Sequence, residues 1–307
     1  MRWSKKGLVW NASYDLPWAL NSALTPTPIV LGSVIRVYAG FRDEFGVSRI
    51  GFVDLSAQNP THVVGFSQKP ALDIGRPGAF DDNGVILGHV EAVGETIRMY
   101  YVGFQKVEKA KFLAFTGLAI SEDGGLTFQR YSEAPIIDRT NGSIMINALH
   151  SIRLHGDKWH GWVARGDGWL EKNGIPYPRY EIWEMQSSDG ITFDTSNARK
   201  LIGCEGDEYR IGRPSVFVRP DGSYVMFYTA GYAKDDRYQA GMAVSADGFS
   251  WKRIDDEIGL SPGEIGTFDH LHLCYPRLVE VNGKFWAVYN GNNMGREGFG
   301  LAELQTW

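Results

Sequence analysis

Cysteine is nearly missing from this chain. Cys204 and Cys274 are the only two in 307 residues, which excludes a disulfide-stapled scaffold and leads us to expect free thiols in a reducing cytoplasm. Clusters of lysine or arginine are also missing, and the formal net charge is −5. Nucleic acid is therefore not an expected partner, because phosphate binding needs a basic stripe. No apolar run approaches the roughly 18 residues of a membrane span, so no membrane partner is expected. The opening MRWSKKGLVWNASYDLPW is basic but has no apolar segment, so no secretory signal is expected there. No glycine-rich phosphate loop joins a strand to a helix, and no serine elbow is present. No cofactor is expected. Without linker or low-complexity tract, the reading is one domain over residues 1–307. Nothing in the sequence sets an oligomeric state.

What is present is repetition. An apolar stretch runs into glycine five times: IRVYAG ends at Gly40, MYYVG at Gly103, HGWVARG at Gly166, MFYTAG at Gly231 and WAVYNG at Gly291. The intervals are 63, 63, 65 and 60 residues. A period of that size marks one supersecondary unit, repeated. The fourth copy shows its build: RPSVFVRP, the turn Asp221-Gly222, SYVMFYTAG, a loop, QAGMAVSA, the turn Asp247-Gly248, then FSWKRID. Alternating apolar residues separated by Asp-Gly turns predict four antiparallel strands. The third turn recurs as SEDGGLTF (121–128), SSDGITF (187–193) and SADGFSW (245–251). In this pattern the aspartate caps its own turn, so these carboxylates read as scaffold. The final GFGLAEL (298–304) resembles a third strand with no successor, whereas RWSKKGLV (2–9) resembles a fourth. The N-terminal strand is expected to complete the last sheet. The predicted fold is all-β, a five-bladed propeller of four-stranded antiparallel blades.

This pattern resembles the five-bladed propellers of carbohydrate-active enzymes: arabinanases and xylosidases, fructan-cleaving enzymes, and mannoside phosphorylases. The resemblance implies an active site in a funnel at one end of the central axis, lined by the innermost strands and the loops after the second strands. It also implies a catalytic Asp on the first inner strand, another in the next blade and a Glu acid further on. This chain departs from that pattern. Its first inner strand carries Asn21, Thr25 and Thr27 and no carboxylate, with Asp15 the nearest upstream.

The remaining inner strands supply the candidates. Asp81, Asp82, His89 and Glu91 enter from the second, and Asn147 and His150 from the third. The fourth brings Glu205, Asp207, Glu208, Arg210 and Arg213, and the fifth Asp269, His270, His272, Tyr275 and Arg277. Glycoside cleavage needs two flanking carboxyl groups, one protonated and one ionised. Glu208 is the expected acid and Asp82 the base or stabiliser. His150 and His270 are expected to move protons, since histidine titrates near neutrality. Arg210 and Arg213 suit bidentate pairing with an anionic group such as a uronate or sugar phosphate. Asp81, His89, Asp269 and Tyr275 are expected beside them as binding residues. The loops add Arg165, Asp167, Trp169, Asn292 and Asn293 for sugar hydroxyls, Trp169 as a stacking platform. His270 and His272 at strand spacing, with His150 and Asp269, carry metal-ligand chemistry, but no tight metal signature accompanies them and no metal is expected.

The expected function is a carbohydrate-active, glycosidase-like or transferase activity on a small or activated sugar, a sugar nucleotide included, in surface polysaccharide biosynthesis. Two alternatives stand beside it: a non-hydrolytic sugar-modifying enzyme using funnel histidine, arginine and tyrosine, and a glycan-binding propeller without catalysis.

Overall fold

The computed structural model describes residues 1–11, 16–235 and 237–307. Asp15 and the Asp167 side chain, both singled out above, lie outside the described set. The architecture is all-β. Strand β1 (Arg2–Asn11) is followed by four-stranded meanders. The first is β2 (Asn21–Leu31), β3 (Val34–Arg42), β4 (Ser48–Ser56) and β5 (Val63–Phe66). The second is β6 (Val85–Val93), β7 (Thr96–Gln105), β8 (Leu113–Ser121) and β9 (Gln129–Arg130). The third is β10 (Ile146–His155), β11 (Lys158–Lys172), β12 (Ile175–Ser187) and β13 (Arg199–Ile202). The fourth is β14 (Glu208–Val218), β15 (Tyr224–Tyr232), β16 (Tyr238–Ser245) and β17 (Lys252–Arg253). Last come β18 (Cys274–Val281), β19 (Lys284–Asn290) and β20 (Gly298–Thr306).

Hydrogen bonding follows chain order within each meander, and β1 pairs antiparallel with β20 to give the sheet order β1-β20-β19-β18. A two-residue parallel bridge between β8 and β10 joins the second and third meanders edge to edge. Tight hairpins set the register. Between β18 and β19 both Asn282 and Gly283 have positive φ (52° and 71°), the geometry that matches strand twist. FSWKRID, expected as a full strand, pairs only at Lys252–Arg253. The fourth strand is outermost, and very short edges limit unwanted pairing with other chains.

The core lies between sheets. Tyr38 and Phe52 of the first meander pack on Leu87, Met99 and Tyr101 of the second. Tyr100 and Leu118 meet Leu149, Val163 and Met185 of the third. Trp162 and Ile182 meet Ile211, Met226 and Tyr228 of the fourth. Val225 and Phe227 pack on Ala287 and Tyr289 of the last sheet, whose Val288, Phe299 and Leu301 pack back on Val37 and Val53 of the first. Each large buried side chain contributes about 1.5–3 kcal/mol through apolar burial.

The repeated Asp-Gly turns tie these layers. Asp123 accepts hydrogen bonds from the Ser121 and Thr127 hydroxyls and from the amides of Leu126 and Thr127, which hold its carboxyl below the usual range against a burial effect of opposite sign. Tyr38 then donates to the Gly125 carbonyl at 2.7 Å and Tyr100 to the Gly190 carbonyl at 2.9 Å, each from the preceding meander. These aspartates are scaffold. Cys204 and Cys274 are free thiols.

Candidate functional site

The first strand of each meander is broken at an equivalent point. Pairing of β2 with β3 skips between Leu24 and Thr27, of β6 with β7 between Leu87 and His89, and of β10 with β11 between Leu149 and Ser151. Pairing of β14 with β15 skips between Gly212 and Ser215, and of β18 with β19 between Cys274 and Arg277. The residues set free are Thr25, Gly88, His150, Arg213 and Tyr275, spaced by 63, 62, 63 and 62 residues. A bulge re-aims a side chain, and four of these five places carry one, the other being Gly88. Three of the residues adopt left-handed backbone, with φ of 56° at Thr25, 58° at Arg213 and 57° at Tyr275. Such conformations cost about 1–3 kcal/mol each and persist only where the surroundings impose them. Side chains of other strands do so: Asn290 Oδ1 accepts the Thr25 amide at 2.8 Å, and Thr229 Oγ1 accepts the Tyr275 amide at 2.9 Å.

Thr25, His150, Arg213 and Tyr275 converge on one cavity of about 530 Å³, within the range of small-molecule sites. Arg42, Arg210, Tyr180 and Tyr238 complete its inner wall, while Lys106, Lys111, Phe112 and Tyr177 also line it. Among the described residues no aspartate or glutamate lines it. The Arg210 guanidinium sits 4.5 Å from the Tyr238 ring centre and 5.0 Å from that of Tyr209; Arg213 lies 5.1 Å from Tyr275. Aromatic faces favour a cation without discharging it. The Arg42 and Arg210 Nε atoms, Thr25 Oγ1 and His150 Nδ1 are buried without a hydrogen-bond partner. Buried polar groups are rarely left so, except where a ligand or solvent satisfies them.

Behind this lining lies a further buried arginine, Arg277. Arg277 donates to the carbonyls of Gly88 and His150 and reaches His89 Nδ1 at 3.2 Å, while Arg213 donates to the Leu87 carbonyl at 2.7 Å. His89 Nε2 is 3.0 Å from Glu91. Burial brings Arg213 down to about 10, and burial with the Arg213 charge brings Arg277 down to about 9, so both are charged at neutrality. Burial, then the charges of Arg213 and Arg277, hold His150 well below the ordinary 6.5. Burial also lowers His89, against its bond to Glu91. Both imidazoles are neutral at pH 7.

Below about pH 6.5 the unfolded chain binds protons that the native protein excludes, so stability is complete above that pH and falls beneath it. The slope is up to about 1.4 kcal/mol per pH unit for each histidine. His150→Gln should remove its share, read as a shallower acid limb in urea unfolding between about pH 7 and 5. An unchanged limb would sink the assignment.

The remaining sequence candidates lie elsewhere. Glu208, expected as the acid, accepts both Arg253 nitrogens at 2.7 and 2.9 Å and the Glu205 amide at 2.8 Å; it does not line the cavity. Asp82, expected as the base, caps a turn through the Gly78 amide at 2.8 Å, although its neighbour Asn83 reaches the lining. Asp81 is fully buried against Arg130. Asp269 pairs with Lys5 and takes hydrogen bonds from Thr267 and Tyr289. His270 faces the Thr267 carbonyl and the Asn292 amide, and Asn292 Oδ1 accepts the Leu271 and His272 amides. Trp169 packs edge-on against Phe112, behind the lining. The structure therefore brings His150, Arg210, Arg213 and Tyr275 together and leaves Asp82, Glu208 and His270 apart. Among the described residues no three His, Cys, Asp or Glu side chains gather as a metal would require. Sequence reasoning passed over Arg42, Lys106, Lys111, Tyr180 and Tyr238. A 62–63-residue spacing counted from Arg213 would have found Thr25, Gly88, His150 and Tyr275 as one set.

No protein-family model matches the chain. Two proteins of Mycobacterium tuberculosis do, the uncharacterized proteins Rv1502 (strain ATCC 25618 / H37Rv) and MT1551 (strain CDC 1551 / Oshkosh). Each is 30% identical over 309 residues, covering 100% of both chains. The chain belongs to their family. In fold it is similar to a glycoside hydrolase (TM-score 0.75, 16% identity, 99% of this chain and 92% of that one). It is also similar to a structure of the GH130 family of mannoside phosphorylases (TM-score 0.74, 13% identity, 99% and 94%). A third likeness is to the endo-arabinase of Bacteroides thetaiotaomicron (TM-score 0.65, 15% identity, 96% and 98%). The fold of this chain is thus that of the β-propeller glycosidases. No helix among the described residues is long and apolar enough to cross a membrane.

Proposed function

We propose that the meanders form one closed five-bladed propeller over residues 1–307, and that it is a carbohydrate-active enzyme binding a small sugar with an acid group. The cyclic contacts of β2, β6, β10, β14 and β18, with β18 returning to β2, support the ring. The single observation carrying the functional reading is a cavity lined by five cations and no described carboxylate. A buried cation without a counter-charge is costly, and an anionic ligand offsets that cost. Tyr180, Tyr238 and Tyr275 offer hydroxyls for a sugar ring, and the neutral His150 can take a proton from one of its hydroxyl groups. Cleavage by paired carboxylates needs groups that this lining does not supply, so the support goes to the non-hydrolytic, sugar-modifying reading. The free thiols fit a reducing compartment, and a role in surface polysaccharide synthesis is consistent with such a site.

Thermal unfolding tests this. Glucose 1-phosphate or glucuronate at about 100 times Kd should add about 2.7 kcal/mol, raising Tm by roughly 5 °C, whereas glucose should do far less. The Asp82→Asn variant should respond as the parent does. An equal response to charged and neutral sugars, or none to either acid, would overturn the reading.

A further inference from the structure

The cavity is wider than one sugar acid needs, and its two ends differ. At the inner end stand Arg42, Arg210, Arg213 and His150, with four polar atoms unpartnered nearby. At the mouth, the segment between β7 and β8 contributes Lys106 and Lys111, both exposed and without an ion pair among the described residues. Beside them is an aromatic wall. Phe104 and Phe112 meet edge to face at 5.2 Å, Trp169 backs Phe112 at 5.7 Å, and Lys111 lies 5.2 Å from the Tyr177 ring centre. Phe104, Phe112, Tyr177 and Pro178 all face the cavity. A monosaccharide held at the inner end leaves both this wall and the two lysines without a partner.

We infer that the ligand is a sugar joined through a diphosphate to a nucleoside, a deepening that rests on the anionic-sugar reading. The sugar occupies the inner end beside His150 and Tyr275. The diphosphate spans from Arg42 and Arg210 to Lys106 and Lys111, so that both groups of cations are answered by one linear anion. The base lies on the Phe112 and Tyr177 wall, where stacking is tolerant of base identity. A diphosphate carries the same charge when its other ester is a polyprenyl chain. Flat aromatic faces with an adjacent lysine favour a base over a flexible lipid tail.

Titration calorimetry on the full chain separates these cases, with UDP, GDP, glucose 1-phosphate and farnesyl diphosphate as probes. UDP or GDP should bind at least about 10-fold tighter than glucose 1-phosphate. The double change Lys106→Ala/Lys111→Ala, on exposed side chains, should weaken nucleotide binding by about 10-fold and glucose 1-phosphate binding by a clearly smaller factor. Phe112→Ala should weaken the nucleotide alone. Nucleotides binding no tighter than glucose 1-phosphate, or indifferent to the lysine pair, would overturn the inference and leave the anionic-sugar reading standing. Farnesyl diphosphate binding tighter than both nucleotides would overturn the nucleoside in favour of a lipid. Failure of glucose 1-phosphate and all three diphosphates would overturn the underlying reading itself.

Discussion

Arg210→Met should weaken the binding of glucose 1-phosphate by about 100-fold or more while leaving the protein folded. Each charge-assisted hydrogen bond from a buried guanidinium contributes about 1.5–3 kcal/mol, and a bidentate contact loses two of them. Arg210 is the clean probe because its Nε has no hydrogen-bond partner among the described residues and its guanidinium lies 4.5 and 5.0 Å from the Tyr238 and Tyr209 ring centres. Methionine keeps the unbranched stem of the side chain and removes an uncompensated buried cation. Tm without ligand should therefore hold or rise. Arg213 is a poorer choice, since its bond to the Leu87 carbonyl couples ligand binding to the joining of two sheets. Calorimetry together with ligand-free thermal unfolding checks the point. Undiminished binding in Arg210→Met would remove this arginine from the site.

Gly88→Ala should be the most destabilising small substitution at the site, costing about 3 kcal/mol or more and lowering Tm by roughly 5 °C or more. Gly88 occupies the place in the second sheet that Thr25, His150, Arg213 and Tyr275 hold in the others. A methyl group there would lie 2.2 Å from the Leu149 carbonyl oxygen and 2.7 Å from that of Tyr100. Both obstacles are backbone atoms in paired strands and cannot rotate away. The Gly88 carbonyl is moreover one of the two that receive Arg277. Displacing it would loosen the buried arginine that supports the cavity from below. An alanine variant unfolding within about 1 kcal/mol of the parent, measured in urea, would show that the strands can separate at little cost.

The repeat at Gly40, Gly103, Gly166, Gly231 and Gly291 was legible because a hairpin meander is local: alternation and turn residues appear within about a dozen positions. The Asp-Gly turns were readable for the same reason, and the structure places Asp123, Asp189 and Asp247 in related caps, Asp123 bonding the amide four residues on and the other two the amide three residues on. The site was legible only in part. Arg210, Arg213, His150 and Tyr275 are picked out as polar residues on the first strands of the sheets, and all four line the cavity. Glu208, picked out in the same way and differing in sequence from a catalytic acid in nothing visible, does not line it. Its partner Arg253 lies 45 residues away and decides its role through two hydrogen bonds.

The chain's order of residues by itself determined an all-β fold of repeated meanders, a scaffold role for its turn aspartates and an N-terminal strand lacking a local partner. Each of these follows from short-range alternation, turn geometry and counting. Only the tertiary structure decided which charges face the cavity and which are consumed elsewhere. A bulge can turn Arg213 or Tyr275 inward only when distant side chains such as Thr229 hold the backbone in a left-handed conformation. A carboxylate is withdrawn from chemistry when an arginine from another strand reaches it first. Both outcomes depend on distances across the fold, and no local pattern encodes them.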